Sequence, residues 1–342
     1  MNQQSIHRLP IERLGTYLAA HIDGFSGLRG AEKFSGGLSN PTYLLRADSG
    51  QYVLRRKPPG DLLKSAHAVD REFRVIRALS GSNVPVAEAI HLCTDEGVIG
   101  SMFYIMSYVR GRIFWDPALP ELDRKSRGAL FDEMNRVLAA LHDFDLVAAG
   151  LGDYGRPGDY FARQVSRWSR QYASSATETI KDMDQLIRWL PENLPPDDGL
   201  VSLIHGDYRL DNLVFHPQRT KALALLDWEL STLGHPFADL AYQCMQLRLG
   251  HDEVMPGLGG LDRSHLGIPS EEAYVARYCE RRGIGGIPHW SFYLAFGFFR
   301  FAAIMQGVYR RSLEGSASNS RASEYRSLIR PLASLGVAQI VR

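Results

Sequence analysis

HGDYRLDN at residues 205–212 and LDWE at residues 226–229 are the two stretches that decide the fold of this chain. The segment between them begins with the apolar run LVF, continues through a polar turn that contains a proline, and ends in the apolar run LALL. Such a pattern predicts an antiparallel β-hairpin, in which the residue before the first strand lies beside the residue after the second. Asn212 and Asp227 occupy these positions, so the sequence predicts that their side-chain oxygens converge.

An amide oxygen and a carboxylate that converge are a ligand set for Mg²⁺, which prefers hard oxygen donors and keeps waters and substrate phosphates in its other positions. We therefore expect Asn212 and Asp227 to be magnesium ligands. Asp207 lies five residues before Asn212, on the loop that enters the hairpin. There it can accept a hydroxyl proton while the metal holds phosphates, as phosphoryl transfer requires. One Asp or Asn alone is more often a turn or cap residue, but three at this spacing favour a catalytic site.

HGDxxxxN followed by LDWE resembles the aminoglycoside phosphotransferase and choline kinase-like superfamily, whose elements correspond to HRDxxxxN and DFG of protein kinases. The resemblance covers roughly residues 30–245. It implies an α+β, bilobal, protein-kinase-like fold with a small five-stranded β lobe, one key helix in that lobe, and a larger, mainly helical lobe. It also implies an enzyme, a small-molecule kinase with ATP and Mg²⁺ as cofactors.

The resemblance assigns roles to the residues of the 205–212 loop. It makes Asp207 the catalytic base or hydroxyl-orienting group. Arg209 stands where protein kinases carry a lysine that touches the γ-phosphate, so we expect it to have that role. His205 is expected to anchor the loop, and Asp239 to cap the following apolar helix and brace the loop.

The predicted small lobe supplies further residues of a nucleotide site. Similar kinases pair a lysine on the third strand with a glutamate on the next helix, and Arg55 and Glu72 hold those positions here. An arginine can bind phosphate or carboxylate in a bidentate manner but needs more room than a lysine. The loop SGGLSN, with Gly36, Gly37 and Ser39, is expected to cover the nucleotide, although two glycines do not make a GxGxxG motif.

The segment MSYVRG resembles the hinge between the two lobes of these kinases. The backbone carbonyl of Ser107 and the backbone N–H of Val109 are expected to pair with adenine, and Met106 to border the adenine pocket. Strand-like runs and one helix precede this segment, and helical periodicity dominates after it. The predicted domains are an N-terminal nucleotide-binding lobe at 1–108 and a C-terminal catalytic and substrate-binding lobe at 109–342.

Apolar residues at helical spacing predict helices at 62–79, 126–142, 160–172 and roughly 175–190. A further segment, 290–308, is apolar enough to raise the question of a membrane span. Arg300 at its middle would cost roughly 2.5–3.5 kcal/mol in a bilayer. A helix buried in the larger lobe explains this segment better than a membrane span.

Composition and charge narrow the class of protein. The chain has 342 residues, of which 45% are hydrophobic and 23% charged, so it can bury the cores of two lobes. A net charge of +1 argues against a dedicated nucleic-acid binder. The cysteines are three and far apart, and the N-terminus lacks the basic-then-apolar pattern of a signal peptide. These features favour the reducing cytoplasm over a disulfide framework or a zinc site.

The phosphate acceptor is predicted to be a small molecule with a hydroxyl group. If one of two arginine clusters lines the acceptor site, an anionic acceptor fits better than a polyamine, whereas the alternative for the cluster on the predicted helix is a solvated charged face. Arg163, Arg167 and Arg170 share one predicted helix face. From residue 293 onward, two glutamates stand against Arg300, Arg310, Arg311, Arg321, Arg326, Arg330 and Arg342. RQVSRWSRQY and LDWELSTLGHPFADLAYQ also resemble the kinase-like domain that other proteins fuse to acyl-CoA dehydrogenases. That resemblance implies a hydroxyacyl-CoA or hydroxy-acid acceptor.

Alternative functions stay open on the sequence alone. The chain could be an aminoglycoside kinase or an amino-alcohol (choline-like) kinase. It could be a metal-dependent hydrolase that uses His205, Asp207, Asp227 and His235, although dinuclear hydrolases usually need more ligands than these. A catalytically inactive nucleotide-binding module is disfavoured, because every metal and base position of the motifs is filled.

Overall fold

The structure is a computed structural model that describes residues 9–34, 40–58, 68–156, 158–251, 254–315 and 322–340. The chain divides into two compact units. The first comprises Met1–Gly111 and Leu223–Glu229, and the second comprises Arg112–Ala222 and Leu230–Arg342. The segment Leu223–Glu229, which the sequence placed in the larger lobe, therefore groups with the first unit. The functions assigned to the lobes at 1–108 and 109–342 stay a prediction.

An antiparallel five-stranded sheet is the framework of the first unit, with the strand order β1-β2-β3-β5-β4. Its strands are β1 (Leu28–Lys33), β2 (Thr42–Ala47), β3 (Gly50–Arg56), β4 (Ala89–Cys93) and β5 (Phe103–Ser107). Strands β2 and β3 pair antiparallel about a tight turn, with Thr42 opposite Arg55 and Ala47 opposite Gly50. The predicted α+β class and small five-stranded lobe are confirmed.

Helices α1 (Ile11–His21) and α2 (Val69–Leu79) accompany this sheet. The sequence did not predict α1, whose Leu14 and Leu18 are fully buried in the same core as Phe103 of β5. Helix α2 buries the apolar positions from which it was predicted and also buries Glu72. Residues 62–67 of the predicted helix lie outside the described residues.

Helices dominate the second unit, as predicted. They are α3 (Arg124–His142), α4 (Tyr160–Ser175), α5 (Lys181–Glu192), α6 (Phe237–Met245), α7 (Arg263–Leu266), α8 (Glu271–Arg282), α9 (Trp290–Leu313) and α10 (Arg326–Val337). The helix predicted to start near residue 175 begins later, because Ser175 still belongs to α4 and donates its hydroxyl to the Gln171 carbonyl. Helix α9 packs against α4, α6 and α10.

Four short strands frame the loop that carries the HGD motif. Strands β6 (Ser202–Ile204) and β9 (Thr232–Gly234) pair antiparallel, and β7 (Leu213–Phe215) and β8 (Ala222–Leu225) form a two-stranded sheet. The polar turn after β7 is closed by the His216 N–H, which donates to the Lys221 carbonyl at 2.8 Å. The predicted hairpin is therefore present, with β8 starting one residue earlier than expected.

Helix α9 is, among the described residues, the one helix that is long and apolar enough to cross a membrane. Within its apolar window, 83% of the residues are buried inside the protein. Such burial is what the sequence predicted for a core helix of the larger lobe.

Candidate functional site

The loop at residues 205–212, which joins β6 to β7, has a backbone that only glycine can complete at its second residue. Gly206 has a φ of 84°, a left-handed conformation that L side chains rarely adopt. A Cβ atom built there would also lie 2.7 Å from the Leu230 carbonyl oxygen. The tight turn that presents Asp207 therefore depends on Gly206.

Asp239 holds this loop from helix α6. Its carboxylate accepts the backbone N–H groups of His205 at 2.5 Å and of Gly206 at 2.9 Å. Burial alone would raise the pKa of Asp239, but its hydrogen bond and charge interaction with His142 keep it below the ordinary value. The predicted brace is present, while the predicted cap is wrong, because Asp239 lies inside the first turn of α6 and the residue at its N-cap makes no side-chain cap.

Asp207 is held by three side chains of the second unit. The Tyr242 hydroxyl donates to its Oδ1 at 2.7 Å, the Asn212 amide donates to its Oδ2 at 3.1 Å, and the Arg209 Nε lies 3.2 Å from Oδ1. Burial would raise the pKa of Asp207, but the Arg209 charge and the Tyr242 hydrogen bond outweigh it and lower the pKa below its ordinary value. The carboxylate is therefore ionised at neutral pH and can accept a proton.

Asn212, the predicted metal ligand, and Arg209, the predicted phosphate contact, both lie next to Asp207. The Asn212 amide nitrogen also donates to the Asp207 carbonyl at 2.8 Å. With the nitrogen directed at Asp207, the amide oxygen faces away from it and is the candidate metal ligand. Arg209 also pairs with Asp211 at 2.9 Å, so its contact with a phosphate stays a prediction.

In the first unit, Arg55 of β3 and Glu72 of α2 form the predicted ion pair. The Arg55 Nε lies 2.7 Å from Glu72 Oε2, at an angle outside hydrogen-bond geometry. Glu72 is 2% exposed and accepts hydrogen bonds from Asn40 at 2.6 Å and Tyr104 at 3.1 Å. Burial raises the pKa of Glu72, and the Arg55 charge opposes that rise.

Asp227 lies beside the same arginine. Its Oδ1 accepts a hydrogen bond from Arg55 Nη2 at 2.6 Å, and Glu229 lies 3.3 Å from that nitrogen. Asp227 has a φ of 63°, a conformation that Asp tolerates better than most residues and that is concentrated at functional sites. A carboxylate and an amide oxygen are hard donors that fit Mg²⁺. Asn212 belongs to the second unit, so the shared ion stays a prediction.

Replacing Arg55 with methionine should lower the free energy of unfolding by about 3–5 kcal/mol, because it leaves the buried Glu72 carboxylate without its counter-charge. The measurement is the urea midpoint together with its slope. Arg55→Met combined with Glu72→Gln should recover part of the loss, since the uncompensated charge is gone. A single variant as stable as the parent chain would contradict a stabilising role for the pair.

The residues predicted to contact adenine lie at the end of β5. Met106 pairs with Val53 of β3, and the Ser107 N–H donates to the Glu88 carbonyl at 3.0 Å. Val109 follows two residues later and is half-buried. Their contact with adenine stays a prediction. Gly36, Gly37 and Ser39, predicted to cover the nucleotide, lie outside the described residues.

The histidines of the hydrolase alternative are engaged elsewhere. His205 is fully buried and its Nδ1 accepts the Asp207 N–H at 3.2 Å. The His235 Nε2 lies 3.3 Å from Asp198, and its ring stacks on Tyr293. Across the described ranges, no three His, Cys, Asp or Glu side chains gather as a metal site. These contacts weigh against a dinuclear hydrolase.

Most C-terminal arginines that the structure describes are paired with a glutamate or buried. Arg310 pairs with Glu314 at 2.7 Å, and both Arg326 and Arg330 pair with Glu178. Arg300 is buried, and Arg321 and Arg342 lie outside the described residues. Pairing and burial therefore reduce the positive charge that this cluster can offer to an anionic acceptor.

The arginines of α4 are placed differently. Arg163 donates to the Arg156 carbonyl, whereas the Arg167 guanidinium lies 5.3 Å from the centroid of the Trp168 ring. Arg167 and Arg170 are both exposed. Positive charge is thus available to solvent on this helix.

Tyr242 and Arg300 contact the HGD loop. No role was predicted for Tyr242, and Arg300 was predicted only as a member of the C-terminal arginine cluster. Tyr242 follows Asp239 by three residues on α6, a spacing that puts both side chains on one helix face. That spacing is the signal that could have identified the tyrosine. Arg300 stood out as a charge inside an apolar run, but nothing in the spacing shows which group it meets.

Comparison with known proteins finds relatives along most of the chain. Residues 30–291 match the model of the phosphotransferase enzyme family. A protein from Mus musculus, acyl-CoA dehydrogenase family member 10, is 46% identical over 96% of this chain. The chain spans only 31% of that relative's length, and 43% of the length of mouse family member 11.

Solved structures show the same fold. A Ralstonia eutropha protein provisionally assigned as an aminoglycoside phosphotransferase is 47% identical, with a TM-score of 0.89 over 97% of this chain and 98% of its own. A spectinomycin phosphotransferase solved with ADP and spectinomycin is 14% identical, with a TM-score of 0.64 over 96% of this chain and 98% of its own. At that identity the second likeness bears on the fold alone.

Proposed function

Because the chain belongs to the phosphotransferase enzyme family, a family of small-molecule kinases, we propose that it transfers the γ-phosphate of ATP to a hydroxyl group of a small molecule with the help of Mg²⁺. The observation that carries this proposal is the state of Asp207. Its carboxylate has a lowered pKa and is fixed by Tyr242, Asn212 and Arg209 on a loop that matches HGDxxxxN. A fixed, ionised carboxylate is the group that a hydroxyl acceptor needs opposite it.

Asp207 orients the acceptor hydroxyl and accepts its proton as the new O–P bond forms and the bond to the leaving ADP oxygen breaks. In the structure the Arg209 guanidinium pairs with Asp207 and Asp211. We propose that this side chain contacts the γ-phosphate when the nucleotide is bound. Asn212 and Asp227 are proposed to supply oxygen ligands to Mg²⁺, which when bound neutralises phosphate charge. Positioning and charge neutralisation, rather than covalent chemistry, supply most of the rate acceleration in such reactions.

Residues of the first unit are proposed to hold the nucleotide. The Arg55 guanidinium, fixed by Glu72, would bind the α- and β-phosphates, a task for which its planar geometry is suited. The Ser107 carbonyl and the Val109 N–H would pair with adenine beside Met106, and Gly36, Gly37 and Ser39 would cover the phosphates. The ADP found with the spectinomycin phosphotransferase, which shares this fold, supports nucleotide use.

The acceptor is proposed to be a hydroxyacyl-CoA or a hydroxy acid. Two observations support it: Arg167 and Arg170 present positive charge on α4, and the chain matches a segment of acyl-CoA dehydrogenase family proteins across 96% of its length. Arginine is suited to bind the phosphates and carboxylates that such acceptors carry. We further propose that the enzyme works in the cytoplasm, since its cysteines are unpaired.

A screen of γ-phosphate transfer from labelled ATP tests the proposal. The panel contains hydroxyacyl-CoAs, hydroxy acids, sugars, amino alcohols and aminoglycosides, each with and without Mg²⁺. We expect magnesium-dependent phosphorylation of a hydroxyacyl-CoA or hydroxy acid. Phosphorylation of a kanamycin-like polycation alone would overturn the proposed acceptor class. Transfer of the labelled γ-phosphate from ATP to water alone, with no labelled product from any acceptor in the panel, would favour the hydrolase alternative.

A further inference from the structure

Arg300 is a buried charge at the middle of helix α9, surrounded by aromatic side chains. It is 7% exposed, and its sequence neighbours Phe299 and Phe301 are buried as well. Burying a charged group is costly unless it is paired or hydrogen-bonded. Within the described part of the chain, Arg300 makes one hydrogen bond, from Nη2 to the Gly206 carbonyl at 2.8 Å, and its Nε has no partner. The cost of burying this charge is therefore offset mainly at one backbone carbonyl, which points to a structural role for the Arg300 bond to Gly206.

The Gly206 carbonyl belongs to the peptide that leads into Asp207. The N–H side of the same turn is held by Asp239 at 2.5 and 2.9 Å. Arg300 thus holds the carbonyl side of a turn whose amide side is already held. Clamped from both sides, the backbone ahead of Asp207 has little freedom to rotate.

Tyr242 links Arg300 to the Asp207 side chain. The Tyr242 hydroxyl donates to Asp207 Oδ1 at 2.7 Å. The Arg300 guanidinium lies 5.8 Å from the centroid of the Tyr242 ring and 5.8 Å from that of Trp168. Both distances are within the range of cation–π attraction. One arginine therefore contacts the peptide that precedes Asp207 and the tyrosine that holds its carboxylate.

We propose that Arg300 and Tyr242 are a positioning pair that fixes the Asp207 carboxylate for the acceptor hydroxyl. Neither residue touches the reacting atoms. Arg300 acts through the Gly206 carbonyl and the Tyr242 ring, and Tyr242 acts through its hydrogen bond. A guanidinium suits this place because it is planar and can stack on an aromatic ring while it donates hydrogen bonds. The inference rests on the proposed phosphotransferase function.

The test compares Arg300→Met, Arg300→Lys and Tyr242→Phe with a matched control in the same helix, Gln306→Met. Gln306 is 1% exposed and hydrogen-bonded, but its amide donates to the Ser175 carbonyl at the end of α4. Arg300→Met and Tyr242→Phe should lower kcat by about 10–100-fold, the order expected when a catalytic group is misplaced by about 1 Å. The KM for ATP should stay within about twofold, because uniform binding is untouched.

Conservative rescue and coupling separate positioning from stability. Arg300→Lys keeps the charge and a donor for the Gly206 carbonyl, so it should recover part of the kcat that Arg300→Met loses. The double variant Arg300→Met/Tyr242→Phe should cost no more than the larger single loss, since both act on one carboxylate. A folded Arg300→Met enzyme with parental kcat would overturn the proposal. So would a Gln306→Met enzyme of equal Tm whose kcat falls equally.

Amide hydrogen exchange gives a readout that does not depend on turnover. The exchange rate in the peptide that spans residues 203–210 should rise at least about tenfold in Arg300→Met and Tyr242→Phe, because the equilibrium constant for local opening of this loop should rise by that factor. In Gln306→Met it should stay at the parental rate. Unchanged exchange in the first two variants would overturn the positioning pair. If the parent chain phosphorylates nothing, the proposed function fails, and this exchange pattern still decides the pair.

Discussion

Turnover should fall by about 10²–10⁴-fold when Asp207 is replaced with asparagine, the range expected when a positioned general base is lost. Asparagine keeps the size of the side chain. Its amide oxygen can still accept the hydrogen bond that the Tyr242 hydroxyl donates to Asp207 Oδ1 at 2.7 Å in the parent chain. It cannot take up a proton from the acceptor. Affinity for ATP should change little, because this carboxylate faces the acceptor rather than the nucleotide in the proposed reaction. Steady-state kinetics with the acceptor found in the screen gives the kcat, and calorimetric titration gives the ATP affinity.

A second carboxylate of the same unit provides the control for Asp207→Asn. Asp132 on α3 pairs with Arg281 at 2.8 Å and has no assigned role in the reaction. Asp132→Asn removes one charge in the same way and should leave turnover near the parental value. If Asp207→Asn also retained near-parental turnover, Asp207 would not be the base, and the proposed reaction would lose its central residue.

Local motifs allowed the loop and its hairpin to be predicted, and the family that these motifs resemble allowed the fold to be predicted. The spacing within HGDYRLDN and its distance from Asp227 encode a loop followed by a hairpin, both of which depend on residues close in sequence. Arg55 and Glu72 were predicted from the resemblance to kinases that pair a strand cation with a helix glutamate, and the structure brings them within 2.7 Å. The core helix α9 was predicted from an apolar run that is long enough to need burial.

Contacts between distant parts of the chain could not be predicted in this way. The Arg300 bond to Gly206 joins residues 94 positions apart, and no periodicity reports such a pairing. Helix α1 was missed because its few apolar positions gain significance only from the sheet that they cover. The sequence shows that arginines are clustered near the C-terminus, but it does not show that some of them pair with Glu178 and Glu314.

Removing the Asp227 carboxylate should abolish magnesium-dependent binding of the nucleotide. Asp227→Ala deletes one of two proposed oxygen ligands, and Mg²⁺ bound through only a few protein groups depends strongly on each of them. Arg55 keeps Glu72 and Glu229 as partners, so the loss of Asp227 does not strip that cation of counter-charge. Calorimetric titration of ATP with and without Mg²⁺ measures the effect directly. The magnesium increment is the gain in ATP affinity when Mg²⁺ is added. If Asp227→Ala shows the same increment as the parent chain, Asp227 is not a metal ligand.

The backbone at Asp227 calls for a matched variant, because φ is 63° there. Alanine in that conformation costs about 1–2 kcal/mol, whereas glycine adopts it freely. Asp227→Gly therefore removes the carboxylate without adding strain. If the carboxylate is a metal ligand, both variants should lose the magnesium increment equally, although Asp227→Ala should have the lower Tm. Loss of the increment in Asp227→Ala alone would instead trace the effect to backbone strain and leave Asp227 without a role in metal binding.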